Sequence, residues 1–224
     1  MDKQNPEIPE CRVCGHGSTR LFPAGKTIYW RCRHCMATFM DASLLPDEFT
    51  ERKRYELHEN DPDDKGYRRF LEKAAAPLKN RLAPGQRGLD YGCGPSSAMA
   101  KMMAEAGHFM TLYDPFFFPD KSALSSTYDF IVCTEVVEHF HRPKTEFDRL
   151  DVLLRPGGYI AVMTCFQTDD DKFENWHYRR DVTHVVFYRE KTFRVIAGQR
   201  GWLCEIPVKD VALMQKTEAS IAGL

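Results

Sequence analysis

Cysteines at 11, 14, 32 and 35 form two Cys-x-x-Cys pairs separated by seventeen residues. Each pair suits a tight turn that offers two thiolates to one tetrahedral ion, so the spacing predicts a structural Zn²⁺ site made of Cys11, Cys14, Cys32 and Cys35. Gly15 and Gly17 give the chain freedom to turn after the first pair. Four sulfurs close the coordination shell, so such a metal would hold a fold and do no chemistry. His16 and His34 could each replace a cysteine, but four thiolates make that unnecessary. The remaining four cysteines lie singly in apolar surroundings. Cys93, Cys133 and Cys165 fall at strand ends and read as packed thiols, a usage that fits a reducing compartment better than a disulfide framework.

A second stretch with chemical content is RGLDYGCGPSS, residues 87–97. It is a short apolar run ending in an acid, then a glycine turn, then serines able to cap a helix. A dinucleotide fingerprint requires G-x-G-x-x-G with an acid some twenty residues later. Here the third glycine is missing and Asp90 precedes the first glycine by two residues. A carboxylate at that point repels a pyrophosphate and suits a ligand carrying ammonium and sulfonium charges, as S-adenosylmethionine does. Gly92 and Gly94 allow close backbone approach to its methionine portion. Asp114, 24 residues beyond Asp90 at the end of the next apolar run, is placed to accept both ribose hydroxyls.

The elements that must position these residues follow from hydrophobic spacing. Residues 1–40 carry the paired cysteines and short β-like runs, TIYW and ATFM. Residues 41–86 read as helical. One helix starts after Pro46 with Leu45, Phe49 and Tyr55 as an apolar stripe. A second starts near Lys65, with Tyr67, Phe70, Leu71, Ala74, Leu78 and Leu82 inward and Pro77 kinking it. From Arg87 strands and helices alternate: GLDY, then SSAMAKMMAEAG with Met99, Met102, Met103 and Ala106 inward, FMTLYD, YDFIVCTE, KTEFDRLDVLLRPGG with Phe147, Leu150 and Leu154 on one side, and YIAVMTCF. A polar, aromatic-bearing segment, 167–183, leads to a helix near REKTFRVIAGQRG and two terminal strands, WLCEI and VKDVALM. The division is a ribbon module over 1–40, a helical linker or cap over 41–86 and a ligand-binding domain over 87–224. Alternation of this kind predicts an α/β sheet with ligands at the carboxyl ends of its strands.

LDYGCG, LYDP, YDFIVCTEVVEHF and LLRPGGYIAVMT resemble motifs of class I S-adenosylmethionine-dependent methyltransferases, over roughly 65–215. Within that class the chain resembles the bacterial group related to ubiquinone-pathway and small-molecule methylases. The resemblance implies an α/β, Rossmann-like, seven-stranded sheet, with the small zinc ribbon added at the N-terminus. It also implies that Asp90, Gly92, Cys93 and Gly94 contact the methionyl part of the cofactor and Asp114 its ribose. Glu135 would lie where the methionyl group meets the substrate. Ser96 stands where a third glycine is frequent. Asp114 and Asp129 are only fifteen residues apart, too few for the usual helix and full third strand, so the acid that normally contacts adenine has no clear equivalent. Pro115 and Phe116 are left to cover the adenine, with Asp120 near its amino group.

Methyl transfer from a sulfonium needs alignment and exclusion of water, and a base where the acceptor is a hydroxyl or acidic carbon. His139, with Glu138, falls in the E-V-x-E-H pattern of that family, where the pair is often structural. WHYRRDVTHVVFY, 176–188, offers Trp176, Tyr178, Arg180, Asp181 and His184 as a polar, aromatic wall, with His184 as general base; an Arg180–Asp181 pair that merely closes a lid is the alternative. Tyr55, His58 and Tyr67 precede the first strand of the sheet, where helices cover the cofactor in this fold. The acceptor is expected to be a small or carrier-bound molecule. RNA or protein substrates docked on the ribbon are the alternative, as is a fold that binds cofactor without turnover; a nicotinamide oxidoreductase ranks below these. Residues 1–40 carry six basic residues, Lys3, Arg12, Arg20, Lys26, Arg31 and Arg33, against Asp2, Glu7 and Glu10. The whole chain, however, has a net charge of −1, which offers little to a phosphate backbone. MDKQNPEIPE lacks the apolar core of a signal peptide and no run is long enough to span a bilayer, so a cytoplasmic protein is expected.

Overall fold

Residues 130 to 133, Phe-Ile-Val-Cys, show how the molecule is layered. Phe130 and Val132 pack toward one apolar cluster, Ile131 and Cys133 toward another, because successive side chains of a strand point to opposite faces. The strand they belong to, β6 (Tyr128–Thr134), is central in a six-stranded sheet. Its companions are β4 (Arg87–Tyr91), β5 (Phe109–Tyr113), β7 (Leu154–Met163), β9 (Trp202–Val208) and β10 (Val211–Lys216). The order across the sheet is β5-β4-β6-β7-β10-β9. Strands β5, β4, β6 and β7 run parallel, and β10 is antiparallel to both of its neighbours. The computed structural model describes residues 8–17, 19–22, 24–57 and 61–218. His58, Lys3, Asp2 and Glu7 lie outside these.

One face of the sheet is covered by α2 (Lys65–Lys79) and α3 (Ala98–Glu105). Leu71, Ala74 and Leu78 of α2 meet Met99 and Met103 of α3 over Phe130, Val132 and Met163. Asp64 caps α2 by accepting from the Tyr67 amide at 2.6 Å, and Ser97 caps α3 by accepting from Ala100 at 2.8 Å. The opposite face packs on α4 (Pro143–Leu153), α5 (Glu190–Gly198) and the cysteine-bearing region. Pro143 fits the first turn of α4, where its missing N–H is not needed. Phe70, expected inward, is 36% exposed; Ala106 is also exposed, and Leu154 opens β7 rather than closing α4.

Six strands stand where seven were expected. After β5 the chain makes an isolated bridge between Asp114 and Phe118 and a short 3-10 turn, Lys121–Ser125, then enters β6 directly. Fifteen residues cannot make a crossover helix and a strand, which together need a dozen or more for the crossover alone. Strand β5 is therefore an edge of the sheet among the described residues.

The ribbon strands β1 (Thr19–Leu21), β2 (Tyr29–Cys32) and β3 (Thr38–Met40) form a second sheet, whose fourth member is β8 (Val186–Phe187) from far along the chain. Thr38 pairs with Phe187 and Phe39 with Val186. Arg31, fully buried, donates to Asp170 at 2.7 Å, and the Thr192 hydroxyl donates to the Cys35 carbonyl at 2.9 Å. Cys11, Tyr29, Trp30 and Phe39 share one apolar core with Phe147, Phe193 and Ile196. The ribbon is built into the main body.

Candidate functional site

At the carboxyl end of β4 the chain turns sharply into α3. Gly92 and Gly94 take left-handed backbone there, at φ 79° and 65°. A Cβ on residue 92 would lie 2.4 Å from the Val136 side chain, whereas on residue 94 it would meet nothing within 4 Å. The first glycine permits packing; the second leaves a backbone surface open to a cleft. Asp90, 2% exposed, accepts from the Ser97 hydroxyl and has no cationic partner among the described residues. Burial pushes its carboxyl up to about 6, with the Ser97 hydrogen bond pulling the other way. Asp114 ends β5 and accepts from the amides of Gly94 at 3.0 Å, Phe116 at 2.8 Å and Phe117 at 3.1 Å. It thereby joins the two loops that follow the strands.

These loops border a cavity of about 660 Å³, within the range of small-ligand sites. Helix α1 (Glu48–Tyr55) supplies Glu51 and Tyr55 to its wall. Asp47 caps this helix by accepting from Thr50 at 2.8 Å, yet none of its residues is buried and Phe49 is 66% exposed. Of the apolar stripe expected there, Leu45 packs against the core and Tyr55 faces the cavity, but Phe49 does not turn inward. Phe116 meets Tyr55 edge-on with ring centroids 5.5 Å apart. Near the edge strand, Tyr91 donates to Glu146, and Arg149 donates to Glu146 at 2.7 Å. The lining holds six carboxylates, Glu51, Asp90, Asp114, Glu135, Glu146 and Asp181, against two arginines, Arg142 and Arg149.

Beyond β6 the turn Glu135–His139 carries the acid and histidine pair. Glu135 adopts φ 54°, and its amide donates to the Met163 carbonyl at 2.8 Å, fixing its position over the ends of β6 and β7. Tyr178 donates to Glu138 at 2.5 Å and lies 3.2 Å from Glu135, so one phenol stands between two carboxylates. Burial, then the Glu138 charge, pushes the Glu135 carboxyl up to about 9. Glu138 is raised by burial, and burial lowers the His184 imidazole. The His184 ring lies 4.7 Å from that of His139 and 4.1 Å from that of Tyr178.

Of the residues expected from sequence, Asp90, Gly92, Cys93, Gly94, Asp114, Pro115, Phe116, Glu135, His139, Asp181 and His184 all border the one cavity. Tyr55 and Tyr67 do as well. Arg180 does not: it is exposed and donates to the Asn175 carbonyl at 3.4 Å. The expected Arg180–Asp181 pair is replaced by Arg54, which donates to Asp181 at 2.7 Å. That bond and the Thr183 hydroxyl, working against burial, hold the Asp181 carboxyl well below the usual range. Trp176 packs on Phe173 instead of lining the cleft, and Asp120 caps the exposed turn at Ser122. Sequence reasoning missed Glu51, His141, Arg142, Glu146 and Arg149, whose presence depends on how α1 and α4 cross the sheet.

A family model for the methyltransferase domain matches residues 67–205. The chain belongs to that family. With this sheet and this turn it is a class I, S-adenosylmethionine-dependent methyltransferase, with six sheet strands among the described residues. No curated protein sequence matches it. Among solved structures it is similar to the 1,6-didemethyltoxoflavin-N1-methyltransferase of Burkholderia thailandensis, at 15% identity over 90% of this chain and 100% of that one, TM-score 0.53. It is also similar to an O-methyltransferase family protein of the same organism, at 12% identity over 78% of this chain and 65% of that one, TM-score 0.51.

In this methyltransferase the four ribbon cysteines are buried and their sulfurs converge. Cys11 and Cys35 sulfurs are 3.6 Å apart, and those of Cys14 and Cys32 3.7 Å. A tetrahedron with metal–sulfur bonds of about 2.3 Å has edges of roughly 3.8 Å, so the donor set can hold one Zn²⁺-sized ion. The Cys35 amide points at the Cys32 sulfur from 3.4 Å, a contact that stabilises a thiolate. No helix among the described residues is long and apolar enough to cross a membrane.

Proposed function

We propose that this methyltransferase binds S-adenosylmethionine across the ends of β4 and β5 and methylates a small-molecule acceptor in the same cleft. The observation that carries the reading is Asp90: a buried carboxylate with no cationic partner, beside a glycine backbone that faces open space. A buried charge of this kind is costly unless a cation meets it, and the cofactor's ammonium and sulfonium provide one. Cys93 shares the methionyl side, Asp114 serves the ribose, and Pro115 and Phe116 flank the adenine. The bound cofactor supplies a methyl group already activated for displacement. The chain's own residues bind, orient and exclude water: α1 covers the cleft through Tyr55, and Glu135, His139, Asp181 and His184 line the side away from the glycine turn. His184 and His139 are the groups able to hold or take a proton there.

A small acceptor is favoured over RNA by the charge of the lining, where carboxylates outnumber arginines and a phosphate backbone would be repelled. On the ribbon, Arg31 is spent on Asp170, and Arg12 donates to the His141 carbonyl at 3.2 Å, which leaves Arg20, Lys26 and Arg33 as exposed cations among the described residues. The ribbon's Cys₄ set is assigned a structural Zn²⁺, with the ribbon serving to pack the region after β7. The Burkholderia thailandensis N1-methyltransferase, structurally characterised with 1,6-didemethyltoxoflavin and S-adenosylhomocysteine, illustrates a small acceptor on the same fold. The test is calorimetric titration with S-adenosylhomocysteine. Binding should be lost in Asp90→Asn and weakened at least about tenfold in Asp114→Ala, which removes charge-assisted hydrogen bonds. Equal affinity in both variants would place the cofactor elsewhere.

A further inference from the structure

The two histidines and the fully buried acid beside the proposed methyl site are arranged as ligands. Glu138, His139 and His184 each offer one ligand atom, and these atoms lie within 4.8 Å of one another. Three features of their surroundings go beyond proximity. The Nδ1 atoms of both rings face backbone carbonyls, His139 toward Thr183 at 2.9 Å and His184 toward Tyr178 at 2.7 Å. A carbonyl can only accept, so each Nδ1 carries the proton, and in the neutral ring Nε2 carries the lone pair. Metal-binding imidazoles are oriented in this way, by donating the other ring nitrogen to a carbonyl or carboxylate. Second, the Glu138 Oε2 atom is buried and unbonded, while Oε1 takes the Tyr178 hydroxyl. An unpaired carboxylate oxygen at 0% exposure wants a cation. Third, no lysine or arginine among the described residues hydrogen-bonds to Glu138 or to nearby Glu135, although the two share one phenol proton.

We infer that Glu138, His139 and His184 bind a divalent first-row transition-metal cation at the floor of the methyl-acceptor cleft. Two imidazole nitrogens and a carboxylate oxygen suit manganese, iron or zinc and leave positions open on the cleft side. The Glu138 oxygen that lies 4.0 Å from His139 Nε2 is Oε1, the one that accepts from Tyr178, so bond lengths near 2.1 Å require the donors to close by about an ångström and the carboxylate to engage the cation while keeping that phenol. Glu135, which shares the Tyr178 hydroxyl with Glu138, stands beside the three as a second, outer carboxylate. The open positions select an acceptor that presents oxygen; with both Nε2 lone pairs engaged, the cation takes the place of His139 and His184 as proton-holding groups, and it deepens the proposed function by naming the acceptor class as a hydroxyl-bearing molecule. That role rests on the methyltransferase reading; cation binding itself does not.

The experiment uses the full chain with its ribbon metal in place. Mn²⁺ is titrated by calorimetry and by the loss of its free-ion electron paramagnetic resonance signal, and S-adenosylhomocysteine is titrated separately without Mn²⁺. One equivalent of Mn²⁺ should bind in addition to the ribbon metal. Glu138→Gln, which keeps shape and the Tyr178 contact, and His184→Asn should each weaken it at least about tenfold. His139→Asn serves where either variant fails to fold. No Mn²⁺ binding to the wild-type chain at millimolar concentration overturns the inference, as does binding that all three variants retain. S-adenosylhomocysteine binding without Mn²⁺ binding would remove the metal site alone. Mn²⁺ binding without it would leave the metal site and remove the cofactor reading.

Discussion

Arg54 of α1 donates to Asp181 at 2.7 Å, across 127 residues of sequence. Together with His141, whose Nε2 lies 3.0 Å from Glu51 Oε1, this pair attaches two neighbouring positions of α1, Glu51 and Arg54, to the body of the protein. The helix buries no residue of its own, and these polar links and the Tyr55 ring contacts with Phe116 and His139 are among the contacts that hold it over the cleft. A segment held by so little apolar area belongs to the low-stability end of the molecule and can open while the sheet stays folded.

Arg54→Ala is therefore expected to loosen the cover without unfolding the protein. The pair is half exposed on the arginine side, so its contribution to global stability is at most about 1 kcal/mol. Amide hydrogen exchange should rise over 48–55 and stay unchanged in β4, β6 and β7. Uniform protection throughout would show that α1 is held by something other than this ion pair.

Asp90 gives a pH dependence with a definite sign. Its folded pKa, about 6, lies above the ordinary 3.8, so the folded state takes up this proton before the unfolded state does. The group's penalty on stability is absent below about pH 4, grows as pH rises through 6, and reaches roughly 3 kcal/mol at neutral pH. Ser97, Asp114 and Tyr67 are the polar groups that face it, and none is a cation. Asp90→Asn should accordingly melt at a higher temperature than wild type at pH 7.5 and at the same temperature at pH 4. Affinity for a cationic cofactor should fall as pH drops through 6 in wild type. A variant that melts lower at pH 7.5 would contradict the assignment of an uncompensated buried charge.

The chemistry-bearing turn was legible because its demands are local. Asp90, Gly92, Gly94 and Ser97 sit within eight residues, and strand, left-handed turn and helix cap are all set by near neighbours. The shortness of the span between Asp114 and Asp129 was legible too, although the family resemblance still implied seven strands and six are found among the described residues. What could not be read was pairing over long separations. Nothing around Asp181 distinguishes adjacent Arg180 from distant Arg54 as its partner, and the choice is made by where α1 crosses the cleft. The ribbon's attachment has the same origin. Arg31 is one of the six basic residues of 1–40, yet it is buried against Asp170, 139 residues away. Phe70 and Phe49 satisfied a helical spacing, but only tertiary placement decides whether a stripe meets a core.

The two glycines of the turn should separate folding from binding. Alanine at 92 would press on Val136 at 2.4 Å in a left-handed backbone, so Gly92→Ala should lower thermal stability by more than the roughly 1 kcal/mol of left-handed strain alone. Alanine at 94 carries the backbone strain without a clash. Gly94→Ala should fold with a small loss of stability but lose affinity for S-adenosylhomocysteine, because its methyl enters the cleft. Thermal melts and calorimetry on both variants check this, and cofactor affinity left intact in Gly94→Ala would count against the turn as the binding surface.

Loss of the ribbon metal should be felt by the whole molecule. The Cys14 carbonyl accepts from Gln199 at 2.8 Å, the Cys35 carbonyl accepts from Thr192, and β3 pairs with β8, so α5 and the strand beside His184 depend on the knuckles. Structural Zn²⁺ contributes on the order of 10 kcal/mol in small zinc-binding peptides, comparable to the total stability of a typical domain. Metal analysis should find one tightly held zinc per chain. Cys11→Ser should release it and shift a single cooperative melting transition downward. An independent ribbon would instead unfold first, in a separate transition that leaves S-adenosylhomocysteine binding untouched, and calorimetric scans with and without a chelator distinguish the two.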